Sequence, residues 1–422
     1  MKGGNEMAEY IIKGGKKPQG SVKISGSKNA SLPIIAATIL NGGKSTLYNV
    51  PEIHDTKMMF EILKELGAVV TKKNNKIIID TSKINKYTIS EELMRQMRSS
   101  VILAGGLLGK HRTAIFSYPG GCDIGSRPIE LHLKAFEKLG INIVKNYGNI
   151  ECSCDKITGE KINLEFPSVG ATENAILASC LAEGKTIITN AAREPEIVDL
   201  QNFLNKMGAK IKGAGTNNIE IEGVKKLKDV SYNIMPDRIE AGTFLCLAAI
   251  NRADLTIENV NTNHIIPVID RLEEMGCEIT IKKNDIEIHT PQKLKSVDIK
   301  TMPYPGFPTD MQSIFATLLT TVKGTSIIVE NIFENRYKYT QELVRMGAKI
   351  AIEGKTAVVK GTKKLYGTTV KATDLRGGAA LVLAGTVAKG ITTVENIEYI
   401  LRGYENFDIK LKNLGIDIKK II

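Results

Sequence analysis

The sequence predicts a two-domain α/β protein built from six copies of one βαβαββ-type unit, three to a domain, and three recurring features carry that prediction. A glycine follows Leu or Met at the end of an amphipathic helical pattern at Gly67, Gly140, Gly208, Gly276, Gly347 and Gly415, a period of about seventy residues. Ahead of each lies a strand pattern, in turn STLYNV, RTAIFSY, KTIITN, LTIENV, SIIVEN and TTVENI. Ahead of each strand lies an apolar, alanine-rich helical stretch.

A unit of two helices and several strands is too large for a solenoid rung, and three such modules around a buried helical core make a domain. At 422 residues the chain also exceeds what one hydrophobic core supports. The expected cut gives one domain over 20–232 and a second made of 1–19 with 233–422. A short strand at Tyr10 to Lys13, with no helix of its own, fits either half; grouped with the second, it makes the chain cross twice, near 20 and near 233. Two crossings predict hinges and a closing motion when substrate binds.

Each element has its local reason. The first helices begin GSKNASLP, MRSSVIL, PSVGATENA, PDRIEAGTF, PTDMQSIF and TDLRGGAAL, with Ser, Thr or Asp placed to cap and apolar residues behind. The second helices stop at the six glycines, where a left-handed backbone is expected. Capping does not ask for Lys28, Arg98, Arg238 or Arg376, because a cation opposes the positive end of the helix dipole unless an anion compensates it. If the helices of each half run roughly parallel, their starts face a common electropositive cleft.

Composition narrows the function. The net charge of +11 is mostly dispersed lysine, with about a dozen arginines, no basic run of five and only 5% aromatic residues, which argues against nucleic acid and suits a small phosphorylated substrate. The apolar runs are too short to span a bilayer, and the first residues hold none long enough for a signal peptide, so a cytoplasmic chain is expected. Six cysteines make no disulfide framework. Cys152 and Cys154 have poor zinc spacing, and Cys180, Cys246 and Cys277 read as core residues, so no metal is expected. Cys122 remains, in PGGCDIGSRP, a loop whose paired glycines permit a tight turn and whose neighbours are polar. With no large apolar stripe left over, a monomer is expected.

These stretches resemble the UDP-N-acetylglucosamine 1-carboxyvinyltransferase family, the enolpyruvyl transferases of peptidoglycan synthesis. The matching motifs are GSKNASLPI, PGGCDIGSRP, PSVGATEN, MPDRIEAGTF, PGFPTDMQ, IFENR, ATDLRGGAALVLAG and RGYE. The sister family, 3-phosphoshikimate 1-carboxyvinyltransferase, shares the fold and lacks the cysteine loop. The resemblance implies an inside-out α/β barrel in each domain, helices inside and sheets outside. It implies transfer of the enolpyruvyl group of phosphoenolpyruvate to the 3-hydroxyl of UDP-N-acetylglucosamine with release of phosphate, without metal or organic cofactor. Cys122 is then the loop thiol that protonates the methylene carbon and the target of the epoxide fosfomycin, and Asp310 is the base facing the sugar hydroxyl. Lys28, Arg127 and Arg402 hold phosphoenolpyruvate, with Arg336 lining the same pocket. Asn29, Arg98, Ser168, Val169, Gly170 and Ile332 bind the nucleotide sugar. Asp374 with Arg376, and Asp237 with Arg238, either shape the cleft or pair with each other, and His132 either orients the loop or is a satisfied core histidine. Two other readings stay open: transfer to shikimate 3-phosphate, and a non-catalytic nucleotide-sugar-binding paralogue.

Overall fold

Apolar on every side, the first helix of each repeat has to be buried. Lys28–Ala37, Ile102–His111 and Val169–Ser179 sit in the core of one unit, and Arg238–Asn251, Gln312–Leu319 and Leu375–Val387 in that of the other. All 14 residues of Arg238–Asn251 are buried. The computed structural model describes residues 8–118 and 129–421. Among these, the first unit comprises 26–118 with 129–235, and the second 8–25 with 236–421. Cys122 and Arg127, expected in the site, lie outside the described residues.

Small residues let the central helices approach closely. A Cβ added to Gly105 would stand 2.5 Å from Asn174 Oδ1, and one on Gly109 would stand 2.6 Å from Leu177 O, so the AGGLLG stretch packs on Val169–Ser179 nearly backbone to backbone. The second helices are amphipathic and end as expected. Gly67, Gly140, Gly208, Gly276, Gly347 and Gly415 all have positive φ, from 82° to 107°, which only glycine adopts without strain.

Among the described residues six sheets surround the helices, three in each unit, and five have four strands. In four of those five, the strand after the first helix pairs antiparallel with the second strand of the hairpin that follows it, and in the fifth Ile391–Glu395 pairs with Glu9–Lys13 instead. Each also has one parallel partner, which in three of the sheets is the strand just ahead of that same first helix. Lys44–Tyr48 pairs with Lys76–Asp80 and with Val230–Asn233. The sheet of Thr113–Ser117 has three strands, and its fourth position holds a single parallel bridge between Thr88 and Ile115.

The asparagine that closes these strand patterns has a structural task. Asn49, Asn190 and Asn259 take left-handed φ values of 57°, 53° and 63°, and their side-chain amides donate to Ile234 O, Leu164 O and Ile24 O at 2.9, 2.7 and 3.0 Å. Asn331 does the same to Thr301 O at 3.1 Å. Each clamps the carbonyl just beyond, or at the end of, the neighbouring parallel strand.

Strand pairing also moves the crossings from 20 and 232 to 25/26 and 235/236. Ser21–Lys23 pairs with Leu255–Glu258 and so stays in the second unit. Val230–Asn233 pairs with Lys44–Tyr48, and Met235 N–H reaches Asp199 Oδ2 at 3.3 Å, so the chain remains in the first unit through Met235. Glu9–Lys13 lies between Ile391–Glu395 and Asp417–Ile421 in the second unit. No helix among the described residues is long and apolar enough to cross a membrane.

Candidate active-site residues

In the first unit the start of Lys28–Ala37 is capped by Ser27, whose hydroxyl accepts from Ala30 N–H at 3.2 Å. Pro33, inside the helix, brings no N–H to the Asn29 carbonyl, and Asn29 itself is half-buried. Lys28 Nζ lies 2.9 Å from Asp55 Oδ2, a carboxylate with no exposed surface. The compensating anion at this helix start is therefore supplied, at least in part, by the protein. Asp55, at the start of His54–Glu65, has only the look of an ordinary first-turn acid in the sequence, so its role was not legible there.

Ser168, Val169 and Gly170 open Val169–Ser179, with Ser168 accepting from Ala171 N–H at 3.4 Å. Gly170 meets His132: a Cβ there would stand 3.0 Å from His132 Cε1, so any larger residue would press on the ring. Gly105 N–H donates to Asn174 Oδ1 at 2.9 Å, which turns the Asn174 amine toward Val101 O at 3.1 Å and His132 Nδ1 at 2.7 Å. His132 Nδ1 is thus the acceptor and Nε2 carries the proton. Burial, and then the charge of Arg98, push His132 down to about 4. It is a neutral, hydrogen-bonded core histidine that packs on Gly170 and senses Arg98, which begins the turn Arg98–Val101.

In the second unit Asp310 lies in the turn Thr309–Met311 ahead of Gln312–Leu319. Its carboxylate is held by two buried guanidiniums, Arg336 Nη2 to Oδ1 at 2.9 Å and Arg376 Nη2 to Oδ2 at 3.3 Å. Arg336 also donates to Thr309 O at 3.1 Å, and its Nε finds no acceptor among the described residues. Arg376 stacks 5.2 Å from the Tyr404 ring, whose hydroxyl is 2.9 Å from Thr243 Oγ1. The sequence left open a pairing of Asp374 with Arg376. Asp374 caps its own helix instead, accepting from Arg376 N–H and Gly377 N–H at 3.0 Å each, while the Arg376 guanidinium goes to Asp310. Asp237 likewise caps through Ile239 N–H and Glu240 N–H, and Arg238 stacks 5.6 Å from the Tyr304 ring.

Glu330 escaped the sequence reading. Buried to 1% exposure, it accepts from Thr301 Oγ1, from Thr309 Oγ1 and from the N–H groups of Ile332 and Phe333 at 2.9, 3.0, 2.8 and 3.2 Å. It thereby ties the Asp310 turn to the segment of Ile332. The signal was present: in SIIVEN the buried positions Ser326 and Ile328 alternate toward Glu330, so a period of two points its side chain inward. Arg402 is half-buried and directly follows the short helix Glu398–Leu401.

The described thiols are poor nucleophiles. Burial pushes Cys152 and Cys180 up to about 12 and Cys277 up to about 11, and raises Cys154 and Cys246 as well. No group of three or more His, Cys, Asp or Glu among the described residues could hold a metal ion.

Comparison with known proteins gives these residues a context. The profile of the EPSP synthase (3-phosphoshikimate 1-carboxyvinyltransferase) family matches residues 12–411. UDP-N-acetylglucosamine 1-carboxyvinyltransferase 2 of Caldanaerobacter subterraneus subsp. tengcongensis is 51% identical over 417 residues, covering 99% of this chain and 100% of its own. The protein of the same name from Carboxydothermus hydrogenoformans is also 51% identical, covering 98% and 100%. Among solved structures, the enolpyruvyl transferase NikO from Streptomyces tendae superposes with a TM-score of 0.89 at 25% identity over 98% of this chain and 99% of its own. An EPSP synthase from Acinetobacter baumannii reaches 0.77 at 19% identity over 98% and 100%, a likeness of fold.

Proposed function

Because this chain belongs to the EPSP synthase family of carboxyvinyltransferases, and within it to the UDP-N-acetylglucosamine 1-carboxyvinyltransferases, we infer that it transfers the enolpyruvyl group of phosphoenolpyruvate to the 3-hydroxyl of UDP-N-acetylglucosamine and releases phosphate, the committed step toward peptidoglycan. The observation that carries this reading is identity of 51% over nearly the whole of both chains. The sugar oxygen adds to C2 of phosphoenolpyruvate while the methylene carbon gains a proton; phosphate then leaves C2 and the methyl group loses a proton, which restores the double bond.

Asp310 takes the hydroxyl proton. Two guanidiniums fix its carboxylate, and a carboxylate has about four lone-pair sites, so they do not exhaust it. Cys122 supplies the proton to the methylene carbon, an assignment favoured by the raised thiols elsewhere. Lys28, Arg127 and Arg402 hold the doubly anionic substrate, with Arg336 beside Asp310, and guanidinium forks suit carboxylate and phosphate. Asn29, Arg98, Ser168, Val169, Gly170 and Ile332 receive the nucleotide sugar.

The test is phosphate release from phosphoenolpyruvate with each acceptor in turn. Release is expected with UDP-N-acetylglucosamine and not with shikimate 3-phosphate. Release with the latter alone moves the chain to the sister reaction, and release with neither makes it a binding paralogue.

A further inference from the structure

Ser25 is the last residue of the second unit before the chain passes into the first, and all of its polar groups are engaged within its own unit. Its N–H donates to Glu240 Oε2 at 2.8 Å, and its C=O accepts from Asp237 N–H at 2.9 Å. Its hydroxyl donates to Glu405 Oε2 at 2.5 Å and accepts from Lys410 Nζ at 2.7 Å. Lys410 closes the ring on Glu240 Oε1 at 2.6 Å, with side-chain exposures of 15% and 3%. A connection between units does not require this, and removing two charges from water is costly.

The contacts do not stop at Glu405. Arg402, Gly403, Tyr404 and Glu405 are consecutive; Tyr404 bonds Thr243 and stacks on Arg376, and Arg376 reaches Asp310. On the other side of Ser25, Lys28 follows after two residues. We propose that Ser25, Glu240, Glu405 and Lys410 form a positioning site for the transfer reaction. They hold the exit of the chain toward Lys28 against the segment that carries Arg402, and through Tyr404 and Arg376 they bear on Asp310. None of the four touches substrate; each acts through Lys28, Arg402 or Asp310. The proposal rests on the transferase reading above.

The test compares Ser25→Ala, Ser25→Thr, Glu405→Ala and Glu405→Gln in the full chain. Ser25→Ala and Glu405→Ala are expected to raise KM for phosphoenolpyruvate about tenfold, with kcat changed less than about threefold and the melting temperature moved by less than about 2 °C. Ser25→Thr keeps the hydroxyl and Glu405→Gln keeps an acceptor, so both should stay near the parent. Hydrogen exchange without substrate is the second readout: in Ser25→Ala, peptides covering 24–30 and 401–406 should both exchange faster. An unchanged KM in both alanine variants, or faster exchange confined to 24–30, overturns the proposal. Should the parent protein turn nothing over, the transferase reading fails, and the exchange experiment alone then decides whether Ser25 and the Arg402 segment are coupled.

Discussion

Lys28 stands where its charge opposes the helix dipole, and Asp55 is the buried partner that makes this tolerable. Removing the cation leaves a carboxylate in the interior, so Lys28→Met should lower stability by about 3 kcal/mol, and Lys28→Met with Asp55→Asn should regain most of it. Urea unfolding of the single and double variants checks this. Asp310 faces two buried guanidiniums, so Asp310→Asn should cost stability as well as lower turnover by about a hundredfold or more; equal activity in the phosphate-release assay removes it from the mechanism. Fosfomycin should alkylate Cys122 alone, since burial raises the thiols of Cys152, Cys154, Cys180, Cys246 and Cys277; mass mapping of the adduct to any of those five contradicts the assignment. At this scale the sequence was informative about residue types and poor about partners. Asp310 stood out as a carboxylate at a helix start, but its guanidiniums come from positions 336 and 376, and only folding brings such positions together. Asp55 and Glu330 were passed over because an acid in a first turn and an acid at a strand end each have an ordinary local explanation.

Between neighbouring secondary structures, the recurrent asparagine is the most transferable device. Asn259 supplies both a left-handed residue and a hydrogen bond to Ile24 O. Asn259→Gly should therefore cost about 1 kcal/mol for the bond, and Asn259→Ala more, because alanine also pays for the positive φ. Thermal melts that rank Ala above Gly refute this account. His132 gives a pH signature to the first unit. Its pKa is depressed from 6.5 to about 4, so the folded state favours the neutral ring. The associated stability is complete above pH 6.5 and is lost as pH falls toward 4, about 3 kcal/mol in all. Denaturation midpoints of the parent and His132→Gln should converge as pH falls across that window, and a constant gap argues against it. The helices, their glycine ends and the strands were readable because each is specified by a local period or a single backbone requirement. The asparagines were visible as a recurrence, whereas their acceptors were not.

For the molecule as a whole, internal repetition made the architecture legible: six similar stretches constrain one another far more than one stretch constrains itself. The crossings were misplaced by a few residues because Ser21–Lys23 and Val230–Asn233 find their partners far away in sequence, and no local pattern marks which sheet a strand joins. Each unit has its own hydrophobic core, so calorimetry should resolve two overlapping transitions, with His132→Gln displacing one of them. A single transition moved as a whole by that substitution would mean the cores melt together.

The placement of Glu9–Lys13 between Ile391–Glu395 and Asp417–Ile421 bears on how the polypeptide is made. During vectorial synthesis the segment Tyr10–Ile12 leaves the ribosome long before either of its neighbours, while the intervening first unit already has the strands of its own three sheets. A nascent chain must therefore carry an apolar ribbon with two bare edges until Ile391–Glu395 has been made, the kind of exposure that chaperones relieve.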